Sequence, residues 1–234
     1  MNNLYEYILK RKSVRKYKIA TLSEEMLLQI KEQITQLKPL YPSIKTRLEI
    51  AGDIKNPMSL KAPHYLIASS EKIEGCFENV GFMLEQMSLY LNSLGLGSCW
   101  LGMAKPTRNQ QIELPFVISM AFGYPSEELF RNVSDFKRKS LTQISEGTDS
   151  RLEAARIAPS GMNSQNWFFL CTNGIIHVYR KKVNPLKALI FDKMNSIDTG
   201  IALCHLFVVS ENFLFEKLNS FPERKGYIYM GTVK

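Results

Sequence analysis

Apolar residues fall at helical spacing at the start of the chain. Over residues 3–11, Leu4, Tyr5, Ile8 and Leu9 share one face, which predicts a short amphipathic helix. Ser13 to Lys18 read as a connector. Ser23 is a fitting cap for a second helix, and Glu24 and Glu25 complement its dipole; this helix should run to about Leu37 and stop before Pro39. Residues 39–62 contain Pro39, Pro42, Gly52 and Pro57 and read as the least regular part of the first half. His64–Ala68 is a short buried strand. From Glu78 to Leu94 the apolar positions run nearly all round a helix, which is the pattern of a central core helix, and Gly95 and Gly97 are expected to end it. Cys99–Leu101 is extended, and Pro115–Phe122 is a second strand.

The second half follows the same order in shortened form. Arg151–Ile157 is helical and stopped by Pro159. Trp167–Cys171 and Ile175–Tyr179 flank Asn173-Gly174, a strong hairpin signal. Asp198–Phe213 is another nearly all-apolar helix. Set side by side, the helices beginning at Glu78 and Asp198 each show an acid, then a glycine, then an apolar run; Lys12-Ser13-Val14 and Lys139-Ser140-Leu141 form a second echo. Both point to an internal duplication.

Composition narrows the function classes. The 234 residues are 45% apolar, enough for a substantial core. No apolar run reaches the ~18–20 residues of a membrane span. The N-terminal stretch has Glu6 inside its only apolar segment and reads as a first helix, not a signal peptide. Four cysteines without metal-type spacing fit packed thiols in a cytoplasmic protein. The net charge is +8, but the basic residues are dispersed apart from two short clusters. That favours a small phosphorylated ligand over nucleic acid.

Four segments carry candidate chemistry. In Arg11-Lys12-Ser13-Val14-Arg15-Lys16-Tyr17, alternate residues of an extended connector point the same way, so Arg11, Ser13 and Arg15 can converge on phosphate oxygens. On composition alone it is a solvated charge run. Ala158-Pro-Ser-Gly-Met-Asn-Ser-Gln-Asn-Trp167 combines small residues that admit a ligand close to the backbone with amides that donate and accept; it is also an ordinary helix-to-strand turn. Leu94-Gly-Leu-Gly-Ser-Cys-Trp-Leu-Gly102 is glycine-rich but has no helix directly after it, so it is not a dinucleotide fingerprint. Phe122-Gly-Tyr-Pro-Ser-Glu127 is followed by a second basic cluster, Lys137-Arg-Lys-Ser-Leu141.

Together these segments resemble the signatures of the nitroreductase family of FMN-dependent oxidoreductases, from Arg11 to Trp167. The A-P-S-x-x-N-x-Q-x-W segment is the most specific, and R-x-S-x-R is next. The order is unusual. The family's A-P-S segment commonly follows the second helix; here that place is held by Lys38-Pro-Leu-Tyr-Pro-Ser43, and the good copy stands at Ala158. Asn166 replaces the usual proline before the tryptophan. The last fifty residues match only as a generic helix-rich segment. The chain is similar to a fused subgroup in which one polypeptide mimics the family's domain-swapped homodimer.

The resemblance implies an α+β fold with a central, mostly antiparallel sheet flanked by helices. It implies one domain over residues 1–234, made of two intertwined half-repeats (about 1–135 and 136–234), and a monomer that is a pseudo-dimer with one flavin site. Arg11, Ser13 and Arg15 match residues that hold the phosphate and ring edge of FMN, and Lys12 matches a backbone contact. Pro159, Ser160, Gly161 and Asn163 match the segment along the isoalloxazine and ribityl chain. Leu101 and Gly102 match the backbone facing the reactive ring nitrogen. Arg138 matches a late basic residue at the phosphate, with Lys137 or Lys139 assisting. The implied activity is electron transfer from NAD(P)H through FMN to a nitroaromatic, quinone or similar electrophile, with no catalytic side chain. The alternative is a flavin-binding protein without turnover, a redox sensor or flavin store. His64, His177 and His205 are scattered and read as structural, with no metal site, no nucleic-acid partner and no membrane partner.

Overall fold

The computed structural model describes residues 4–234, with backbone alone at residues 187–190. Asn3, where the first helix is expected to open, lies outside the described residues. The chain divides into two compact units, Met1–Asp135 and Phe136–Lys234.

The first unit contains α1 (Tyr5–Lys10), α2 (Glu24–Thr35), β1 (Thr46–Ala51), β2 (His64–Ser70), α3 (Cys76–Ser93), β3 (Gly97–Leu101) and β4 (Phe116–Gly123). α2 is capped as its sequence predicts: Ser23 Oγ accepts from the Met26 amide at 3.2 Å. The four strands form an antiparallel sheet in the order β1-β2-β4-β3. β1 corrects the reading of residues 39–62 as irregular. It is an edge strand in which only Leu48 is buried, so its sequence lacks the apolar alternation that marks a strand. α3 is buried on nearly every face, as its all-round apolar pattern requires. Gly95, at φ +75°, follows its end, but Gly97 opens β3 instead. A Cβ at Gly97 would lie 2.6 Å from Val14 Cγ2, so close packing against the connector demands glycine there.

The second unit contains α4 (Leu141–Ile144), β5 (Ser145–Glu146), α5 (Leu152–Arg156), β6 (Trp167–Thr172), β7 (Ile175–Lys181), α6 (Pro185–Val209), β8 (Phe215–Glu216) and β9 (Tyr227–Val233). Its sheet runs β5-β6-β7-β9-β8, antiparallel except for the β5–β6 pair. The β6–β7 hairpin turns on Asn173 and Gly174, both at positive φ. α6 begins well before Asp198, because Asn184 caps it through the Leu186 amide and Pro185 occupies its first turn. It ends at Val209, short of Phe213. Consequently Asp198 sits in the middle of α6, whereas Glu78 sits in the first turn of α3. β9 corrects the helix-rich reading of the last fifty residues: Gly231 and Thr232 interrupt the apolar alternation of an inner strand.

The α+β class with mostly antiparallel strands and flanking helices is the observed one, with a separate sheet in each unit. Among the described residues no helix is long and apolar enough to cross a membrane.

Candidate functional site

In the first unit the connector after α1 is drawn into the fold by isolated strand-like bridges, Arg11 to Phe130, Ser13 to Ser98 and Tyr17 to Pro125. Val14 anchors it: the side chain is fully buried and its amide donates to the Ser98 carbonyl at 3.0 Å. The candidate residues around this anchor differ in exposure. Arg11 is 1% exposed, Lys12 and Ser13 are half-buried and Arg15 is exposed. The Arg15 and Lys16 amides donate to Glu127 Oε1, at 2.6 and 3.3 Å. The Arg15 amide in particular holds the Glu127 carboxyl below its ordinary pKa.

Arg11 is the unusual member. Its Nε lies 4.0 Å from Glu85 Oε1, and Glu85 is itself fully buried on α3. None of the three guanidinium nitrogens has a hydrogen-bond partner among the described residues. Glu85 also accepts from Trp100 Nε1 at 3.1 Å, one residue before Leu101. Arg131 Nε donates to the Arg11 carbonyl at 2.9 Å. Burial, and then the nearby Arg11 charge, pull the Arg131 pKa down to about 10. Leu101 is buried at the end of β3, and Gly102 is exposed in the turn that follows.

In the second unit the Ala158–Trp167 segment is a strained turn. Met162, Asn163 and Gln165 all have left-handed backbone, at φ 53°, 56° and 44°. Such conformations cost on the order of 1–3 kcal/mol each in non-glycine residues and persist only where neighbours enforce them. The enforcement is visible. Arg138 Nε donates to the Ala158 carbonyl at 3.1 Å and Arg138 Nη1 donates to Asn163 Oδ1. Asn163 Nδ2 donates to the Lys137 carbonyl at 2.8 Å. Gln165 Oε1 accepts from the Lys139 amide at 2.7 Å, and its Nε2 donates to the Asn163 carbonyl at 2.9 Å. Lys139 Nζ donates to the carbonyls of Ser164 and Gln165. Ser160 Oγ accepts from the Gln165 amide at 3.0 Å.

α6 supplies two further holds. The Gly161 amide donates to both oxygens of Asp198, at 2.9 and 3.0 Å. Asn166 Nδ2 donates to Asn195 Oδ1 at 3.0 Å. A Cβ at Gly161 would lie 2.4 Å from Met194 Cε, so any larger residue there would displace the end of that side chain.

The sequence-derived residues thus form two sets: Arg11, Lys12, Ser13, Arg15, Leu101 and Gly102 in the first unit, and Arg138, Pro159, Ser160, Gly161 and Asn163 in the second. Glu85, Arg131 and Asp198 have no counterpart among them. Glu85 and Asp198 sit in apolar helices, and an acid on such a face was the available signal. The histidines are engaged in their own units: His64 Nε2 accepts from the Leu22 amide, His177 Nδ1 meets Thr232 Oγ1, and His205 Nδ1 meets the Ala154 carbonyl. Among the described residues no group of His, Cys, Asp and Glu is placed to hold a metal ion.

A family model described as "Putative TM nitroreductase" matches residues 3–210. A structure described as a "putative nitroreductase" from Thermotoga maritima is similar over 99% of this chain and 92% of its own, at 23% identity and a TM-score of 0.65. A nitroreductase family protein from Clostridium difficile 630 is 18% identical over 61% of this chain and 96% of its own, with a TM-score of 0.48. An FMN-dependent nitroreductase from Clostridium difficile R20291 is 19% identical over 56% and 93%, with a TM-score of 0.43. No curated protein matches the chain.

Proposed function

We infer the activity from a membership: the chain belongs to the family described as Putative TM nitroreductase, whose model spans residues 3–210. We propose that it is an FMN-dependent oxidoreductase carrying electrons from NAD(P)H to a nitroaromatic, quinone or similar electrophile. The observation that carries the flavin assignment is Arg11. A guanidinium cannot shed its charge, and burying its donors unpaired is costly. A phosphate group provides the anionic oxygens that these donors lack, so the residues present fit the phosphate end of FMN.

In this reading Arg11, Ser13 and Arg15 bind the phosphate and ring edge, with the Lys12 backbone beside them. Pro159, Ser160, Gly161 and Asn163 line the isoalloxazine and ribityl chain, and the Leu101–Gly102 backbone faces the reactive ring nitrogen. When bound, the isoalloxazine supplies the redox chemistry, taking a hydride from a nicotinamide and passing two electrons to the acceptor. The protein's part is to hold and orient. Arg138 sets the turn through Ala158 and Asn163 in addition to any phosphate contact, with Lys137 or Lys139 assisting. One chain carries both motif sets that family homodimers divide between subunits, so the two half-repeats, about 1–135 and 136–234, act as a monomer. Its free thiols suit the cytoplasm.

The test is purification without added cofactor, followed by FMN titration and stopped-flow mixing with NADH and NADPH. Yellow protein whose flavin absorbance bleaches rapidly with a nicotinamide supports the oxidoreductase. Flavin that binds but does not bleach indicates the store or sensor. Protein that is colourless and takes up no FMN overturns both.

A further inference from the structure

The strained turn at Ser160–Gln165 has to be held, and most of its holds come from residues 137–139 and from the turn itself. Asp198 differs. It reaches the turn from the middle of α6, is 4% exposed, and places both carboxylate oxygens on one amide, that of Gly161. Its other partner, Ser164 Oγ, stands at 3.5 Å, the outer limit of a hydrogen bond. A buried carboxylate with so few donors is poorly accounted for by core packing, since an apolar side chain would fill the same space without desolvating a charge.

We propose that Asp198 is a positioning residue for the Gly161–Asn163 turn, fixing through the Gly161 amide the backbone that lies along the flavin. The proposal rests on the flavin assignment above. Gly161 packs directly against Met194 and Asp198 of α6, and the hold acts one residue before the left-handed pair Met162 and Asn163. A shift of the Gly161 amide therefore passes directly into the part of the turn with least conformational freedom.

Burial pushes the Asp198 pKa up to about 7, opposed by the Gly161 amide and then by Ser164 Oγ. The acceptor therefore changes character near neutrality. Several charged and titratable groups on the elements around it are otherwise engaged. Glu153 and Arg156 of α5 pair with each other, and Arg180 of β7 pairs with Asp192 of α6. His177 of β7 meets Thr232, His205 of α6 meets the Ala154 carbonyl, and Lys139 Nζ donates to the Ser164 carbonyl. The Cys171 thiol of β6 is raised to about 11 by burial and stays neutral. None of these contributes to the shift at Asp198.

The experiment compares wild type, Asp198→Asn and Asp198→Leu by FMN fluorescence titration and by the visible spectrum of the bound flavin. Asn keeps an oxygen for the Gly161 amide and should bind within about threefold of wild type; Leu removes it and should weaken FMN about tenfold or more, with a displaced flavin spectrum. In wild type, the Gly161 amide proton shift and the flavin spectrum should titrate together near neutral pH, and neither should do so in Asp198→Asn. Ionisation of the FMN phosphate is common to both proteins and cancels. Unchanged affinity and spectrum in Asp198→Leu, or a Gly161 amide that titrates while the flavin spectrum stays still, overturns the proposal. If the Leu variant does not fold, the wild-type and Asn titrations decide alone. Wild type that binds no FMN overturns the flavin assignment, and the positioning role with it.

Discussion

Arg11 and Asp198 are both charged, both almost fully enclosed and both short of hydrogen bonds, yet they call for different remedies. Among the described residues, Arg11 in the first unit has three nitrogens without a hydrogen-bond partner, and Glu85 at 4.0 Å balances charge without bonding to them. A guanidinium stays protonated near neutral pH, so only an acceptor can satisfy it. Asp198 in the second unit has a simpler way out: it takes up a proton. The surroundings differ in the same sense. The Ser160–Gln165 turn is strained but tied down by many bonds, whereas the Arg11 guanidinium has an unfilled requirement. One reads as preformed and the other as completed by an anion.

The sharpest way to break that contrast is the pH dependence of stability. The Asp198 pKa is about 7 in the folded protein against 3.8 for the free side chain, so the folded state binds the proton more tightly. The associated stabilisation is full below pH 3.8 and is lost as pH rises through about 7. Its upper limit is on the order of 4 kcal/mol. Thermal unfolding of wild type and Asp198→Asn from pH 4 to 8 should show the wild type losing ground to the variant as pH rises. Parallel curves would mean that Asp198 does not carry the buried charge described. Carboxyls with depressed values, such as Asp149 beside Arg151, act in the opposite direction at lower pH and are common to both proteins.

Arg11 comes next. Asp198 answers to protons, so Arg11 should answer to phosphate. Arg11→Ala removes a charge-assisted contact worth roughly 1.5–3 kcal/mol, weakening FMN about tenfold to a hundredfold. Riboflavin, which lacks the phosphate, should bind both proteins alike. Equal losses for the two ligands would assign Arg11 to the ring or to folding, not to the phosphate.

The same two regions show what could be read from the sequence. Helices with one-sided or all-round apolar patterns, the Ser23 cap and the Asn173-Gly174 hairpin were legible because each depends on neighbouring residues. β1 and β9 were not, since an edge strand with one buried residue and an inner strand broken by glycine lack alternation. α6 starts at Asn184-Pro185, well ahead of the apolar run that marks its second half, so the run alone places the start too late. The motif residues could be located by resemblance, but their local roles could not. Nothing in Arg11-Lys12-Ser13 says that the arginine is the buried one, and Asp198 is remote in sequence from the turn it holds. The left-handed backbone at Met162, Asn163 and Gln165 was hidden as well, because tertiary bonds impose it, at Met162 and Gln165 against the preferences of those residue types.

If bonds impose the strain, the turn should respond unequally to changes in its bonds and in its side chains. Gln165 is 2% exposed and ties the Lys139 amide to the Asn163 carbonyl. Gln165→Ala leaves the half-buried Lys139 amide and the Asn163 carbonyl without these bonds, at a cost of about 2 kcal/mol. That corresponds to a fall in Tm of about 4–8 °C for a chain of this size.

Met162 gives the smallest effect and the opposite sign. Its side chain is 85% exposed while its backbone is left-handed at φ 53°. The residue therefore bears conformational cost without a buried side chain to offset it. Met162→Gly removes the steric part of that cost, about 1–2 kcal/mol, and gives some of it back through the greater freedom of glycine in the unfolded chain. The expected result by calorimetry is a rise in Tm of about 2 °C. A fall instead would mean that the turn depends on the methionine side chain, and the view of it as a scaffold held by Arg138, Gln165 and Asp198 would have to be abandoned.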